Sequence, residues 1–444
     1  MDKFSKILFI FSILFFTFLF GFISKKYSIF PSAYVEGSIS KIRYYFKDQT
    51  VDRIKKIFFK FSDQKDSEGF GRLKQNKILQ FSNVFDNSFS KPEFLNDYYI
   101  LSKAFGDDIK IVNQEGEIKY AWNFEKFPKN TFLLPFFLDS QGNLLFGDDE
   151  NIYFINNKSE IIFQKKIYNH HWGDESSDYI YFPGRQFQDL PLKDTLYSNS
   201  VLSKCNYENS LNETIVRVKK DGSDLKEFEL LPLILNTDLK KHLFHCHDPL
   251  HLNDVRVLTK EDADQFIFDD IEENDLLISM KQINTIMIVD SEFSEIKWEV
   301  NNLFHRHHAP RITNRGTVLV FDNEGGNPYY GSSRIIEIDV NSKKTVGIYD
   351  GNDDHKLYSL SGGRIQIIDD KIIINSSTQG ELFEIDCPEK QKYISNDCKP
   401  IFLYTTKVGN DSIYGETNDK GNKTLELHVA DLYKKDYLTF INNE

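Results

Sequence analysis

The sequence is poor in sulfur and in tryptophan, and its few cysteines limit what they can build. It has 4 Cys, 3 Met and 3 Trp in 444 residues. Four cysteines are too few for a disulfide-based scaffold, and no CxxC pair marks a zinc or redox motif. Cys387 and Cys398 bracket a short polar loop, so an oxidising compartment predicts a disulfide between these two.

Positive charge is also in deficit. The chain has 54 Lys and Arg against 67 Asp and Glu, a formal net charge of −13, and no basic stripe along any segment. Nucleic acid is therefore not an expected partner. No glycine-rich phosphate-binding loop is present either, so nothing in the sequence indicates a nucleotide donor.

Long apolar runs are scarce, and one at the N-terminus stands out. Residues 7–23 are uncharged and apolar, with lysines on both sides. This is close to the roughly 17 residues needed to span a bilayer, and no small-residue cleavage site follows it. We expect residues 1–26 to be an uncleaved signal anchor and transmembrane helix, with a cleaved signal peptide as the alternative. Residues 27–94 are then a stalk or packing segment.

From residue 95 onward one sequence motif recurs: a turn, an apolar strand, a second strand ending in Ile-Asp or a variant, a turn, and a closing strand. Self-similarity of this kind indicates a repeat architecture. Six copies of about four short strands predict an all-β fold, a six-bladed β-propeller over residues 95–444, rather than a sandwich or barrel. The copies span residues 98–122, 142–166, 178–230, 274–300, 316–350 and 369–406.

The histidines are clustered in relation to these copies. Of 11 histidines, eight lie at 170–171, 245–251 and 305–308, and each cluster precedes a strand-like run. In the stretch 305–325, a turn at Asn314-Arg315-Gly316 separates two short strands, which predicts a hairpin with the imidazoles at its start. Because the first strand of every blade lines the central channel of a propeller, the three clusters should meet there.

Three interpretations of the clusters compete. The histidines could be satisfied polar residues at blade rims. They could instead ligate zinc, copper or iron, with His245, Cys246, His247 and His251 as one ligand group. The third interpretation is a nucleophilic site, since a neutral imidazole attacks phosphoryl or sulfuryl centres and nearby cations stabilise the transferred oxyanion. Lys281, just after the strand 276–279, would face the same region.

Several segments of the sequence resemble the arylsulfotransferases, the propeller sulfotransferases that use no nucleotide sulfate donor. The matching words, which fall within residues 140–405, are HLNDVRVL (251–258), LLISMKQINTIMIVD (276–290), EIKWEV (295–300), HHAPRITNRGTVLVFDN (307–323), SRIIEID (333–339) and GGRIQIIDDKIIINSSTQGELFEID (362–386). The resemblance implies an enzyme that moves a sulfuryl group from an aryl sulfate ester to a phenol or alcohol. It implies no metal and no cofactor, and a periplasmic or otherwise extracytoplasmic catalytic domain.

The resemblance also implies site residues. The nucleophilic histidine falls on His307, with His308 as the alternative register. The other histidines fall on His251 and on His171, with His170 as the alternative to His171. Where the family has an arginine this chain has Lys281, which offers a point charge in place of a planar fork. Asn253 and Arg334 are expected to bind substrate together with His170.

Strand alternation adds a prediction about the two adjacent histidines. Successive side chains of a strand point to opposite faces, so His307 should face the channel and His308 should face away. His307 would then attack sulfur, while His171, His251 and Lys281 bind the sulfuryl oxygens. Two alternatives stay open: a non-catalytic propeller that binds a ligand or a partner, and a metal-dependent enzyme. The sequence leaves the oligomeric state undetermined.

Overall fold

The computed structural model confirms the all-β class and the six-bladed propeller. It describes residues 81–82 and 98–441, apart from 103–108, 114–116, 128–132, 148–150, 170, 191–201, 203–204, 206, 269, 324–332, 353–354, 360–361, 378, 407–415, 418–422, 425–428 and 435.

Each blade is an antiparallel sheet whose strands follow one another from the channel outward. Blade 1 has β27 (Val429–Tyr433), β2 (Tyr98–Ser102), β3 (Ile109–Val112) and β4 (Ile118–Ala121). Blade 2 has β5 (Leu134–Leu138), β6 (Leu144–Gly147), β7 (Ile152–Ile155) and β8 (Ile161–Lys165). Blade 3 has β9 (Asp174–Glu175), β10 (Tyr179–Leu190), β11 (Tyr207–Lys219) and β12 (Lys226–Glu229).

The second half of the ring follows the same order. Blade 4 has β13 (Leu252–Val257), β14 (Leu276–Met280), β15 (Thr285–Val289) and β16 (Ile296–Asn301). Blade 5 has β17 (His308–Thr313), β18 (Thr317–Asp322), β19 (Arg334–Asp339) and β20 (Thr345–Tyr349). Blade 6 has β21 (Arg364–Ile368), β22 (Lys371–Ser376), β23 (Glu381–Asp386), β24 (Lys399–Thr406) and, at its outer edge, β1 (Phe81–Ser82).

The remaining elements are short. The described residues also include a two-stranded sheet of β25 (Glu416–Thr417) and β26 (Lys423–Thr424). Helix α1 (Leu230–Leu235) and a 3-10 helix (Asp238–His242) connect blade 3 to blade 4, and α2 (Lys260–Ala263) lies between β13 and β14. Helix α1 is formed by an apolar run whose leucines are buried against the interface between these two blades.

The core is a ring of six apolar clusters, one between each pair of neighbouring blades. The middle strands are buried on both faces, as in β14 and β15, which explains their uninterrupted apolar sequences. Neighbours in sequence serve opposite interfaces: Ile335 packs towards blade 6, and Ile336 packs towards blade 4. Strand pairing between β27 and β2 closes the ring.

The repeated sequence motif starts at the second strand of each blade. The copies at 274–300 and 316–350, for example, begin just before β14 and β18, so the channel-lining strand precedes each copy. The predicted hairpin at Asn314-Arg315-Gly316 joins β17 to β18. The use of the C-terminal β27 as the innermost strand of blade 1 was not predicted.

The N-terminal prediction falls on residues that the structure leaves undescribed. Neither the apolar run 7–23 nor any other part of 1–26 is described, and of 27–94 only Phe81–Ser82 is, as an added strand of blade 6. Among the described helices, none combines the length and apolar character needed to cross a bilayer.

Beyond the histidines, the inner strands carry a buried layer of charge around the channel axis. We call it the axial ionic layer: Asp174, Asp254, Arg256, Arg311, Arg364 and Asp431. Its ion pairs are Arg311–Asp254 at 3.1 Å, Arg364–Asp431 at 2.6 Å and Arg256–Asp174 at 3.6 Å. Three of its members follow a histidine by three positions, so the layer lies further along the same strands than the imidazoles.

Candidate functional site

Three imidazoles from three consecutive blades meet where the inner strands begin. The ring centroid of His171 lies 5.6 Å from that of His251 and 5.7 Å from that of His308. His171 precedes β9, His251 precedes β13, and His308 is the first residue of β17. The expectation that the histidine clusters of blades 3, 4 and 5 converge is therefore met by one residue from each. We call this group the trihistidine cluster.

The member contributed by blade 5 is His308, so the predicted orientation of His307 and His308 was wrong. His307 is fully buried, its ring lies 4.2 Å from that of Phe304, and its Nε2 lies 3.1 Å from the carbonyl oxygen of Thr285. It therefore packs between blades 4 and 5. The two side chains do point in different directions, but the register is shifted by one residue.

The physical reason for the shift is an irregular backbone. The pairing of β17 with β18 changes register between His308 and Arg311, and Ala309 has a φ of +50°. A β-bulge of this kind re-aims the side chains beside it, so strand alternation counted from the sequence fails here. A second irregularity lies at the start of β13, where His251 has a φ of +55°. Both imidazoles are thus turned into the channel by local distortions.

Asn323 fixes the orientation and the tautomer of His308. The amide nitrogen of Asn323 donates to the carbonyl oxygens of Ser359, at 3.0 Å, and of Gly362. Its Oδ1 is therefore the atom 2.6 Å from Nδ1 of His308, and it must accept a proton from that nitrogen. The lone pair of the neutral ring then lies on Nε2. Burial lowers the pKa of His308 to about 3, against the opposing effect of the Asn323 hydrogen bond, so the imidazole is uncharged at neutral pH.

Lys281 supplies positive charge next to the cluster. Its backbone nitrogen donates to the carbonyl oxygen of His251 at 3.0 Å, which places it at the mouth of blade 4. Burial, reinforced by the nearby charge of Arg306, lowers the pKa of Lys281 to about 8. Its charge in turn contributes to lowering the pKa values of His251 and His308, after burial itself. Lys281 is therefore close enough to act electrostatically on the cluster.

Blade 3 contributes a buried ion pair beside Lys281. Nη2 of Arg185, on β10, lies 2.6 Å from Oε1 of Glu213, on β11. Burial raises the pKa of Glu213 to about 7, although the charge of Arg185 opposes this. The charges of both residues also act on Lys281, so the long hairpin of β10 and β11 forms one wall of the site.

The three predicted substrate-binding residues lie in different surroundings. Asn253 is fully buried, and its Nδ2 donates to the carbonyl oxygen of His307 at 2.6 Å; Ser279 Oγ lies 3.4 Å from the same oxygen. Asn253 therefore links blade 4 by a hydrogen bond to the backbone next to His308. Arg334 pairs with Asp322 at 2.7 Å, and Asp322 accepts from the backbone nitrogen of His305. Both contacts are structural. His170 lies outside the described residues.

Asn323, Asp248 and the Arg185–Glu213 pair were not predicted as site residues. Asn323 ends the segment VFDN, which was singled out for its resemblance, but regular pairing from the turn would place it opposite His307, so its contact with His308 had no signal in the sequence. Asp248 stands three residues before His251 and contacts its Nδ1. Arg185 and Glu213 lie on β10 and β11, the long hairpin of blade 3, where the sequence offers no motif.

The cysteines form two disulfides, Cys387–Cys398 as predicted and Cys205–Cys246 in addition. The second of these removes Cys246 as a thiolate, and with it one of the ligands on which the metal interpretation relied. Within the described part of the chain, no group of three or more His, Cys, Asp or Glu side chains has an arrangement that would hold a metal ion.

Solved structures resemble the chain only distantly, and none of the curated proteins compared with it matches. A protein of unknown function from Bacteroides caccae is 11% identical, with 70% of this chain and 94% of that chain covered, at a TM-score of 0.40. A streptogramin B lyase is 13% identical, covering 81% and 98%, also at 0.40. A catalytically inactive variant of the virginiamycin B lyase of Staphylococcus aureus is 13% identical, covering 74% and 88%, at 0.38. Similarities at this level support no inference about function.

The sequence from the helix before blade 4 into blade 6 is more informative. Residues 234–393 match the family model described as arylsulfotransferase (ASST). This stretch, a little over a third of the chain, contains His251, Lys281, His308 and Asn323. The chain is thus a six-bladed propeller in which residues 234–393 resemble the arylsulfotransferases.

Proposed function

We propose that the protein transfers a sulfuryl group from an aryl sulfate ester to a hydroxyl acceptor, without a nucleotide donor, through a sulfohistidine at His308. The family match over residues 234–393 supports the reaction class. His308 takes the role for which the sequence favoured His307. His171 and Lys281 keep the roles that the resemblance implied, whereas His251, whose Nδ1 contacts Asp248, would present Nε2 as a proton acceptor.

The observation that carries the proposal is the hydrogen bond between His308 and Asn323. A nucleophilic imidazole must be uncharged, and its lone pair must face the substrate. Burial keeps the pKa of His308 at about 3, and Asn323 Oδ1, 2.6 Å away, holds the proton on Nδ1. Nε2 of His308 is therefore a nucleophile that needs no prior deprotonation at neutral pH.

Lys281 and the imidazole of His171 would stabilise the transferred group. A sulfuryl group carries negative charge on its oxygens throughout the transfer, and fixed positive charge in a buried site lowers the barrier. The ammonium of Lys281 is part of the electrostatic environment of His251 and His308. The ring centroid of His171 lies 5.6 Å from that of His251 and 5.7 Å from that of His308.

The first half of the reaction follows from this arrangement. The lone pair on His308 Nε2 forms a bond to sulfur as the bond from sulfur to the aryl oxygen breaks. The aryl oxygen leaves with the electron pair and takes a proton from solvent. The axial ionic layer lies beyond the imidazoles, so donor and acceptor would both approach from the mouth. A single mouth shared in turn by donor and acceptor fits a ping-pong order.

The test is incubation with 4-nitrophenyl sulfate and phenol. We expect release of 4-nitrophenol that depends on phenol, formation of phenyl sulfate, and an acid-labile sulfuryl mass on the peptide containing His308. His308→Ala should reduce transfer by at least about 10³-fold, as expected for loss of a covalent nucleophile. Tight binding of the donor without turnover would favour the non-catalytic propeller. Undiminished transfer by His308→Ala would reject the mechanism.

We propose that the propeller lies outside the cytoplasm, held by the N-terminal segment. The two disulfides of the described residues are typical of proteins in oxidising compartments. Residues 7–23 have the composition of a signal anchor. Recovery of the full-length chain from the membrane pellet after a high-salt wash supports the anchor, and a secreted chain without its first residues contradicts it.

A further inference from the structure

The loop that leads into β13 brings a carboxylate against His251. Asp248, three residues earlier in the chain, contacts Nδ1 of His251 with its Oδ2. Both side chains are mostly buried, with exposed fractions of 13% for Asp248 and 18% for His251. On an imidazole the second nitrogen, Nε2, lies on the far side of the ring from Nδ1. Asp248 therefore determines which edge of His251 is left for the trihistidine cluster.

The charges of the two groups determine where the proton lies. Burial lowers the pKa of His251 against the opposing effect of Asp248, so the ring is neutral at pH 7. Burial would raise the pKa of Asp248, but the hydrogen bond from His251 and the nearby positive charges hold it below its usual value. A carboxylate can only accept, so Nδ1 carries the proton and Nε2 the lone pair.

The loop carrying the pair is held from both sides. The Cys205–Cys246 disulfide links it to the residues just before β11 of blade 3, and the backbone nitrogen of Leu211, on β11, donates to the carbonyl oxygen of His247 at 2.7 Å. The backbone nitrogens of Lys281 and Gln282 bind the carbonyl oxygens of His251 and Leu250 from blade 4, at 3.0 and 2.9 Å. A site that depends on a fixed imidazole needs such support.

We propose that Asp248 is a positioning residue that holds His251 as the general base for the acceptor hydroxyl, and that the site is built for acceptors that are not ionised at working pH. This rests on the proposed sulfuryl transfer and identifies the acceptor class. An acceptor already ionised needs no base, whereas a weakly acidic phenol or an alcohol must lose a proton during transfer.

The second half of the reaction then balances. The acceptor oxygen forms a bond to sulfur, and the bond between sulfur and His308 Nε2 breaks, returning its electron pair to the ring. The acceptor proton passes to Nε2 of His251, and the imidazolium is stabilised by the Asp248 carboxylate. That proton then leaves to solvent, which also supplies the proton taken up by the aryl oxygen of the next donor. No oxidant, metal or further reactant is required.

The experiment separates the two halves in Asp248→Asn. The amide keeps the shape of the side chain but can present its NH2 to Nδ1 and so favour the other tautomer. The burst of one 4-nitrophenol per site, measured without acceptor, should change by less than about threefold. Turnover with phenols of high pKa should fall by about 10²–10⁴-fold, the range for loss of an aligned base. With phenols ionised at the assay pH, the loss should be below about tenfold.

Other results overturn the inference. An equal loss for all acceptors, or a lost burst, indicates a structural role for Asp248, and an unchanged acceptor dependence removes it from the reaction. If the parent protein itself gives no burst, the proposed function fails, independently of Asp248. As a readout besides activity, ¹⁵N spectra of the imidazoles should show His251 as the Nδ1–H tautomer in the parent and a mixture in Asp248→Asn. The same tautomer in both proteins would contradict the proposal even if Asp248→Asn turns over poorly.

Discussion

Oδ1 of Asn323 lies 2.6 Å from Nδ1 of His308, and the amide that carries it is held by the carbonyl oxygens of Ser359 and Gly362 from the approach to blade 6. The orientation of one imidazole is thus determined jointly by two blades. Asn323 is 2% exposed and His308 is 5% exposed, so water does not compete freely for this hydrogen bond. The hydrogen bond therefore keeps His308 in the tautomer that carries its proton on Nδ1.

The first prediction concerns Asn323. Asn323→Ala removes the acceptor from His308 Nδ1 and should lower kcat by about 10–100-fold, the usual range for a lost orienting partner. Asn323→Asp places a carboxylate there, which raises the pKa of His308, so protonation of the nucleophile should move the acid limb of kcat/KM towards neutral pH. The pH profile is the measurement. Asn341→Asp, in the remote turn between β19 and β20, is the control; an acid limb shared by both variants would contradict the assignment.

The second prediction separates His308 from His307. His308→Ala should abolish sulfuryl transfer and also lower stability, because it leaves the buried Oδ1 of Asn323 without its partner. His307→Phe should lower stability but keep transfer, because it fills the space beside Phe304 and leaves only the carbonyl oxygen of Thr285 without its partner, a cost of about 1–3 kcal/mol. Thermal unfolding and turnover per folded molecule are the two measurements. Loss of transfer in His307→Phe with an unchanged midpoint would restore the register inferred from the sequence.

Much of the fold was accessible from the sequence because a propeller repeats its constraints. Each blade buries both faces of its middle strands, which leaves continuous apolar runs such as β14 and β15 in every copy. Three of the inner strands begin beside histidines, so the convergence of His171 and His251 followed from topology. Closure by β27 was not accessible, since the strand lies far from its blade in sequence and has no distinctive pattern.

The register at His308 could not be predicted for a physical reason. Strand alternation assumes regular pairing, and the bulge between His308 and Arg311 breaks it through the φ of +50° at Ala309. Nothing in the sequence His307-His308-Ala309 marks such a bulge. The same limit applies to Asp248 and Asn323, whose importance lies in the atom each presents to an imidazole.

The third prediction is an alkaline limb set by Lys281. Burial lowers its pKa to about 8, so its ammonium is charged below that pH and increasingly neutral above it. If this charge stabilises the sulfuryl oxygens, kcat/KM should fall as pH rises through about 8. Lys281→Arg should extend the plateau to higher pH, because a guanidinium stays protonated. Lys297→Arg, at a lysine paired with Asp275 at 2.9 Å, is the matched control and should leave the limb in place. An unchanged limb in Lys281→Arg assigns it to another group.

The fourth prediction contrasts the two disulfides. Each closes a loop, and its loss should lower the free energy of unfolding by about 2–4 kcal/mol. Only Cys205–Cys246 holds the loop that carries Asp248 and His251, so its replacement by two serines should also reduce turnover with weakly acidic phenols. Replacement of Cys387–Cys398 by two serines should leave turnover per folded molecule unchanged. Urea unfolding and turnover at a temperature where both variants are folded make the comparison, and equal turnover in the two would show that the tether does not matter for the site.

The last prediction concerns the axial ionic layer. Asp254 is fully buried, 3.1 Å from Arg311, and removal of one partner of such a pair leaves an uncompensated buried charge. Asp254→Asn should therefore cost about 3–5 kcal/mol of unfolding free energy.

Arg311→Met should cost less. Burial lowers the pKa of Arg311 to about 10, and the nearby Arg256 and Arg364 disfavour its charge further. Once Arg311 is replaced, the carboxylate of Asp254 still has the positive charge of Arg256 nearby. The double variant Asp254→Asn, Arg311→Met should then recover part of the loss caused by Asp254→Asn alone. Urea unfolding of the four proteins measures the coupling, and a double variant that is less stable than Asp254→Asn would show that Arg311 is stabilised by something other than this pair.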